Sequence, residues 1–424
     1  MKVGGQGVEK EESNMVGVNE ISVAQRLADR PGVQETIMAA ARAARGLPGA
    51  DSRAMSHSWL FTGPPGSGRS NAALAFAAAL MCTNPETNGP EAELGCGQCD
   101  ACRSVLDTQS HTDLKFWAPQ GLTIKVDEVR GVIKDAIALP THAKFRVIIF
   151  DNADRMTPGA SNALLKTVEE PSAQTVIIMC APSADPQDFS QTLRSRCRHL
   201  YIPSPSVEYI VEQLVSEGAS PADAHLAALT SLRHVGRARR LVTNPEAQKR
   251  RAMAINLAED VFHGSQAFQS TQALIKLVNE EAKTDGAQRE EKEISDLEVA
   301  YGAGGKGKGT GRENRDLKSA VKRLEEQHKL RQTRRQRDYL DLVLVDLAGI
   351  YRDALMRKVG AEVELTHPDF EGLADELANR VSEEGLLACQ NAIRKCREQM
   401  NHNVTQQIAF DGLVGRLRLA CKTR

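Results

Sequence analysis

A phosphate-binding loop with one altered residue stands near the start of the chain. The segment GPPGSGRS, residues 63–70, fits the pattern G-x-x-x-x-G-K-[ST] everywhere except at the lysine, which is replaced by Arg69. Glycines in such a loop let backbone N–H groups turn toward a phosphate, and the N-terminus of the following helix adds positive potential. Arginine keeps the charge but presents a wider, planar group in place of the compact ammonium. The loop is therefore a degenerate nucleotide site, at which binding of ATP or ADP is possible. The loop residues predicted to contact the nucleotide are Gly63, Gly66, Gly68, Arg69 and Ser70.

A second motif of nucleotide-hydrolysing proteins is also incomplete. The apolar run VIIF, residues 147–150, ends in Asp151, an acid placed to help hold Mg²⁺ beside a bound nucleotide. The next residue is Asn152, where many ATPases carry a glutamate that polarises the attacking water. An amide cannot act as a base, so the two motifs together predict nucleotide binding without hydrolysis. Alone, Asp151 could equally cap a helix after a strand; the phosphate loop favours the ligand role.

Four cysteines predict a structural zinc site. Cys96, Cys99 and Cys102 follow the spacing C-x2-C-x2-C, and Cys82 is separated from them by a polar segment that can loop back. Four thiolates hold Zn²⁺ tetrahedrally and leave no position open for catalysis. Free buried thiols or a redox pair are the alternatives, and the triple spacing argues against both. Nine cysteines in this pattern indicate a reducing compartment rather than a disulfide framework.

A short basic segment, RSRC at residues 194–197, is a candidate for catalysis in trans. An arginine at the rim of a domain can stabilise charge on a γ-phosphate held by another subunit, the role called an arginine finger. Two neighbouring arginines alone are more often a solvated turn, so this hypothesis depends on the motifs around it. The residues predicted for this role are Arg196 as the finger, with Ser195 and Cys197 beside it.

Alternating strands and helices must position these motifs. Apolar runs such as 146–150 and 175–180 are bounded by helical patterns, which is typical of a parallel sheet buried between helices. We therefore predict an α/β domain over residues 21–203, with the cysteine module at 82–102. The segment PSPS, residues 203–206, predicts a domain boundary.

The rest of the chain is predicted to be helical. Residues 204–244 form a helical segment too small to be an independent domain, and residues 245–424 an all-helical domain. Residues 1–20 are polar and predict a disordered tail. A glycine- and lysine-rich stretch within residues 282–315 predicts a disordered insertion between helices, with a basic nucleic-acid tether as the alternative.

Composition excludes several classes of function. The net charge of the 424 residues is −1, so any basic surface must be local, and aromatic residues make up only 4%, too few for a platform that stacks bases. No apolar run reaches the length of about 18 residues that a membrane helix needs. The first residues show no secretory signal, so we predict a cytoplasmic protein.

Taken in order, these motifs resemble the bacterial clamp loaders of the AAA+ class. With the run SNALLKTVEEP at residues 161–171, the matching segments cover roughly residues 21–205, and their order is more specific than any one of them. The resemblance implies an AAA+ domain, a helical lid and a helical collar domain for the three regions described above. The segment GRARRL, residues 236–241, is similar to the part of the lid whose arginine senses nucleotide, which implies that role for Arg239.

The departures at Arg69 and Asn152 favour the δ′ branch of this family over its motor branch, γ/τ, which keeps the lysine and an Asp-Glu pair. The resemblance implies a component of DNA polymerase III that helps load the sliding clamp onto primed DNA. Its partners would be the γ/τ and δ subunits, its zinc would be structural, and Arg196 would complete a neighbour's ATP site. Two other functions stay open: an active motor ATPase of the same family, and a zinc-containing scaffold or DNA-binding module without a nucleotide role.

Overall fold

The computed structural model describes residues 21–301, 310–400 and 404–423. The predicted tail at residues 1–20 lies outside these ranges. The chain divides into two compact units, and the division falls between residues 203 and 204 except for two short segments. Residues 65–67 and 119–124 group with the second unit rather than the first. No helix within the described ranges is both long enough and apolar enough to cross a membrane.

Five parallel strands form one sheet in the first unit: β1 (Ser58–Thr62), β2 (Leu114–Trp117), β3 (Arg146–Phe150), β4 (Thr175–Ala181) and β5 (Arg198–Tyr201). The central strands β1 and β4 are buried at every residue, as expected for a parallel sheet covered by helices on both faces. This confirms the predicted α/β class. Across the sheet the strands lie in the order β2-β3-β4-β1-β5.

Eight helices accompany this sheet in the described part of the first unit. The alanine-rich α3 is buried from Ala72 to Met81, because it packs against strands and against other helices. Phe76 on this helix meets Trp59 of β1 edge to face, with ring centroids 5.2 Å apart. The helices are α1 (Val23–Arg26), α2 (Pro31–Ala44), α3 (Arg69–Met81), α4 (Asn84–Asn88), α5 (Asp100–Leu106), α6 (Val126–Ile137), α7 (Pro158–Glu169) and α8 (Gln191–Arg194).

A buried carboxylate fixes the loop that leads into β3. Asp113 accepts hydrogen bonds from the backbone N–H groups of Thr141, His142 and Ala143 at 2.7–2.8 Å. Arg146 adds a charged hydrogen bond at 3.2 Å. Burial alone would raise the pKa of Asp113, but these donors outweigh it and lower the pKa to about 2.

Replacing Asp113 by asparagine is expected to lower the free energy of unfolding by about 2 kcal/mol, because the amide lacks the charge that these donors stabilise. Since the folded pKa lies below the ordinary value of about 3.9, the contribution is present above pH 4 and is lost as the pH falls toward 2. Urea denaturation of both proteins at pH 7 and pH 3 measures this. A stability difference that does not shrink at pH 3 would contradict the role of the charge.

The described residues of the second unit form helices joined by loops, without a strand. Ser206, Ser220 and Asn244 each begin a helix by accepting a hydrogen bond from a backbone N–H two or three residues further on. The first three helices share a small apolar core, and the later ones share a larger core. The helices are α9 (Val207–Ser216), α10 (Pro221–Thr230), α11 (Val235–Thr243), α12 (Pro245–Asp260), α13 (Gln266–Ala300), α14 (Thr310–Lys358), α15 (Glu371–Arg380), α16 (Glu383–Met400) and α17 (Gln406–Ala420).

The structure differs from the disordered insertion predicted at residues 282–315. Helix α13 continues to Ala300 and α14 begins at Thr310, while residues 302–309 lie outside the described residues. The polar sequence is helical because charges pair between the two helices: Arg335 donates to Glu290 at 2.7 Å, and Arg331 donates to Glu293 at 2.9 Å. Hydrogen bonds from Arg331 are the main reason that the pKa of Glu293 falls to about 2.

Candidate functional site

The phosphate loop joins β1 to α3 through residues in the left-handed backbone region. Gly66 has φ 85° and Gly68 has φ 80°, values that residues with a Cβ rarely adopt. Gly68 is the N-cap of α3, whose first residue is Arg69. A Cβ added at Gly68 would come within 3.2 Å of the Arg30 Nη1 atom, so a second guanidinium lies beside this part of the loop.

The arginine that replaces the lysine of the loop turns back on the loop itself. Arg69 Nη1 donates a hydrogen bond to the Gly63 carbonyl at 2.6 Å. Its charge therefore stabilises the loop backbone in this structure, whereas the lysine of an intact motif reaches the β- and γ-phosphates of a nucleotide.

The structure brings the two nucleotide motifs of the first unit together. Ser70 Oγ donates to Asp151 Oδ1 at 2.6 Å, and Asn152 Nδ2 donates to Asp151 Oδ2 at 3.0 Å. A hydroxyl and a carboxylate so placed are the pair that holds Mg²⁺ in phosphate-loop enzymes. The amide of Asn152 accordingly serves Asp151 and offers no base for water. Asp154, two residues on, is half-buried, and burial raises its pKa.

The basic segment predicted to act in trans lies between α8 and β5. Arg196 forms an ion pair with Glu169, and its Nη1 donates to the Thr192 carbonyl at 2.9 Å and to Ser195 Oγ at 3.1 Å. The Arg196 side chain is 36% exposed. Burial raises the pKa of Cys197 to about 12, which makes its thiol a packing group rather than a nucleophile.

Glu169 helps to position Arg196, a role that the sequence motifs did not predict. It is the last residue of α7 and the first acid of the pair that ends the run at residues 161–171. The Glu169 carboxylate and the hydrogen bonds from Arg196 to Thr192 and Ser195 together fix the direction of the Arg196 side chain at the surface. The two consecutive acids in that run were the available signal.

The four predicted zinc ligands converge. All four sulfur atoms lie within 4.8 Å of one another, with Cys82 Sγ 3.8 Å from Cys96 Sγ and 3.9 Å from Cys99 Sγ. A tetrahedron with zinc–sulfur bonds of about 2.3 Å has edges of about 3.8 Å, so these positions fit a single Zn²⁺ ion. Hydrogen bonds from Cys102 and Cys82 lower the pKa of Cys99, which favours the thiolate that a metal requires. An all-sulfur set of four suits a closed structural site.

The cysteine module also holds the beginning of the described chain. Gly97 has φ 74°, and a Cβ there would come within 2.5 Å of the Ile21 carbonyl oxygen. The Val23 N–H donates to the Gly95 carbonyl at 2.7 Å. No local sequence pattern indicates this packing, because it joins residues more than seventy positions apart.

The arginines of the lid-like segment are engaged inside the second unit. Arg239 Nε and Nη2 donate to the two carboxylate oxygens of Glu217 at 2.6 and 2.5 Å, which raises the pKa of Arg239. Arg237 is buried against Asp346, and Arg240 pairs with Asp285. The nucleotide-sensing role of Arg239 stays a prediction.

Comparison with known proteins finds sequence similarity over part of this chain. Residues 49–206 match the profile of the family described as DNA polymerase III, delta subunit. DNA polymerase III subunit delta' of Bacillus subtilis is 30% identical over 207 residues, which cover 48% of this chain and 59% of that protein. The subunit delta' of Escherichia coli is 34% identical over 178 residues, 41% of this chain and 50% of that protein. DNA polymerase III subunit tau of B. subtilis is 32% identical over 143 residues, 34% of this chain and 24% of that protein.

Residues 49–206 are therefore similar in sequence to subunits of DNA polymerase III. The chain spans between half and three fifths of the length of the two delta' relatives. Within this matched region the structure groups Ser70 with Asp151, the four cysteines with one another, and Arg196 with Glu169.

Proposed function

We propose that this chain is the δ′ subunit of the DNA polymerase III clamp loader, which helps place the sliding clamp on primed DNA. The observation that carries the proposal is the contrast between its two arginine sites. Arg69 is bound to the carbonyl of Gly63 in a loop whose acidic motif carries Asn152, whereas Arg196 stands at the surface in a fixed direction. Such a chain is suited to complete a neighbour's ATP site rather than to run its own.

The division of labour follows from these residues. Arg196 would stabilise the charge that develops on a γ-phosphate held by an adjacent γ/τ subunit, with Ser195 and Cys197 shaping the turn that presents it. The region 21–203 would form the AAA+ domain, 204–244 the lid and 245–424 the collar through which the loader subunits associate. Within that cytoplasmic assembly the chain would act together with the δ subunit, the clamp and primed DNA.

The chain's own phosphate loop would at most bind ATP or ADP. Ser70 and Asp151 retain the hydroxyl and carboxylate for a magnesium-bound nucleotide. The positive charge of Arg69 is held by the loop backbone, and Asn152 cannot take a proton from water. Zinc bound by Cys82, Cys96, Cys99 and Cys102 would have a structural role, since the set leaves no position open.

ATP hydrolysis by the reconstituted loader tests the proposal. We expect no turnover by the purified chain, and a clear increase when it joins γ/τ, δ, the clamp and primed DNA. The matched control replaces Asp151 by asparagine in the purified chain. Turnover by the chain alone that this change abolishes would identify a motor subunit instead. If the rate of ATP hydrolysis by the loader is the same with and without this chain, a zinc-containing scaffold is the better interpretation.

A further inference from the structure

Two cysteine thiols meet in the core of the second unit, far in sequence from the zinc ligands. Cys389 lies on α16, and Cys421 directly follows the last residue of α17. Their sulfur atoms are 3.7 Å apart, and both residues are free thiols. Neither was given a role by the motifs or by the proposed function.

The surroundings of the two sulfur atoms are unequal. Cys389 is fully buried within α16, whereas Cys421 is 7% exposed at the end of a helix. The contact with Cys389 lowers the pKa of Cys421, whereas the contact with Cys421 and burial raise the pKa of Cys389. The less buried sulfur is therefore the better nucleophile, and the more buried one stays protonated beside it.

We propose that Cys389 and Cys421 form an oxidisable dithiol, a modification site that a small peroxide converts into an intramolecular disulfide. This site goes beyond the proposed clamp-loading function and does not depend on it. A covalent bond needs the sulfur atoms to approach to about 2.05 Å, a movement that the helix end carrying Cys421 can supply more readily than the middle of α16.

The reaction balances with hydrogen peroxide as the oxidant. The Cys421 thiolate attacks one peroxide oxygen and breaks the O–O bond, which gives a sulfenic acid and, with the released proton, one water. The Cys389 sulfur then attacks the oxidised sulfur and displaces hydroxide, which takes the Cys389 proton and leaves as a second water. Two thiols lose two electrons and one peroxide gains them.

The neighbouring thiol on α16 provides a matched control. Cys396 is also fully buried, and its Sγ donates to the Ala409 carbonyl at 3.5 Å rather than meeting another sulfur. It shares the helix and the burial of Cys389 but not the partner. Oxidation should therefore distinguish these two residues of one helix.

Closure of the disulfide would join two positions 32 residues apart in the chain. A cross-link of this span restricts the unfolded chain more than the folded one, so the oxidised second unit should melt at a higher temperature. Reduction should reverse the change, which separates a disulfide from irreversible oxidation of a single thiol.

The test treats the full-length, zinc-loaded protein with hydrogen peroxide and maps the disulfides by mass spectrometry without reduction. We expect a linked pair of peptides containing Cys389 and Cys421, lighter by two hydrogen atoms, and a thermal midpoint higher by about 5 °C. Dithiothreitol should restore both values. Cys396→Ala should form the link normally, and Cys421→Ser, at the helix end, should form none and show no thermal shift.

Three results would overturn the proposal. The first is a wild-type protein in which Cys421 is oxidised to sulfinic acid without any link to Cys389. The second is a link that involves Cys396 as often as Cys389. The third is a reversible thermal shift that persists in the Cys421→Ser protein, because its cause would then lie elsewhere.

Discussion

Replacing Arg196 by alanine is expected to reduce the clamp- and DNA-stimulated ATP hydrolysis of a reconstituted loader about tenfold, with assembly intact. An arginine supplied in trans accelerates hydrolysis by roughly 10³–10⁵ at the one site that it completes. On the proposed function the total rate should fall less, because the loader would contain other motor sites. The measurement is steady-state ATP turnover, with complex formation followed in parallel by gel filtration.

The structure offers two controls for this experiment. Arg194→Ala removes an exposed arginine two residues away and should leave the rate unchanged. Arg196→Lys keeps the charge but not the planar group held by Glu169 and Thr192, so it should restore little activity. Normal turnover in an assembled loader carrying Arg196→Ala would remove the trans-acting role and leave a scaffold.

Replacing Cys102 by serine is expected to release the zinc and to lower the thermal midpoint of the protein by about 10 °C or more. Cys102 is fully buried in α5, and its backbone N–H donates to Cys99 Sγ, so the metal would tie this helix to the end of α3. Without the fourth thiolate the three remaining ligands cannot form the closed tetrahedral site.

Zinc content per chain and the thermal melting curve measure this effect together. Cys197→Ser is a matched control, because that thiol is half-buried in the same unit and lies outside the cluster. It should keep the full zinc content and most of the stability. A Cys102→Ser protein that retains one zinc ion and the wild-type midpoint would show that the cluster does not support the fold.

The features that could be predicted from the sequence are those whose signal is local. Continuous apolar runs such as residues 146–150 predict buried parallel strands. The C-x2-C-x2-C spacing predicts that its three cysteines lie close together. The meeting of Ser70 with Asp151 was predictable because both residues belong to motifs of known relative placement. Such patterns need no knowledge of which distant segment packs on which.

What could not be predicted depends on pairs of residues distant in the chain. Residues 282–301 look disordered because they are polar, and their ionic contacts with α14, which help to stabilise the helix, are not visible in the sequence. Gly286 is a second example. A Cβ at this position would lie 2.1 Å from Arg335 Nη2, so the need for glycine is visible only in the folded structure. The pairing of Arg239 with Glu217 likewise joins two exposed side chains that carry no sequence signal.

The contacts of Ile21 and Val23 with the cysteine module would bear the load if the beginning of the described chain were pulled. A pull applied at the beginning of the described chain would be transmitted through the Val23–Gly95 hydrogen bond directly into the turn that carries Cys96 and Cys99. This hydrogen bond would yield before load reached a bound metal, because it is far weaker than four zinc–thiolate bonds. A handle attached at this end would therefore report the detachment of residues 21–23 from the cysteine module before any rupture of the metal site.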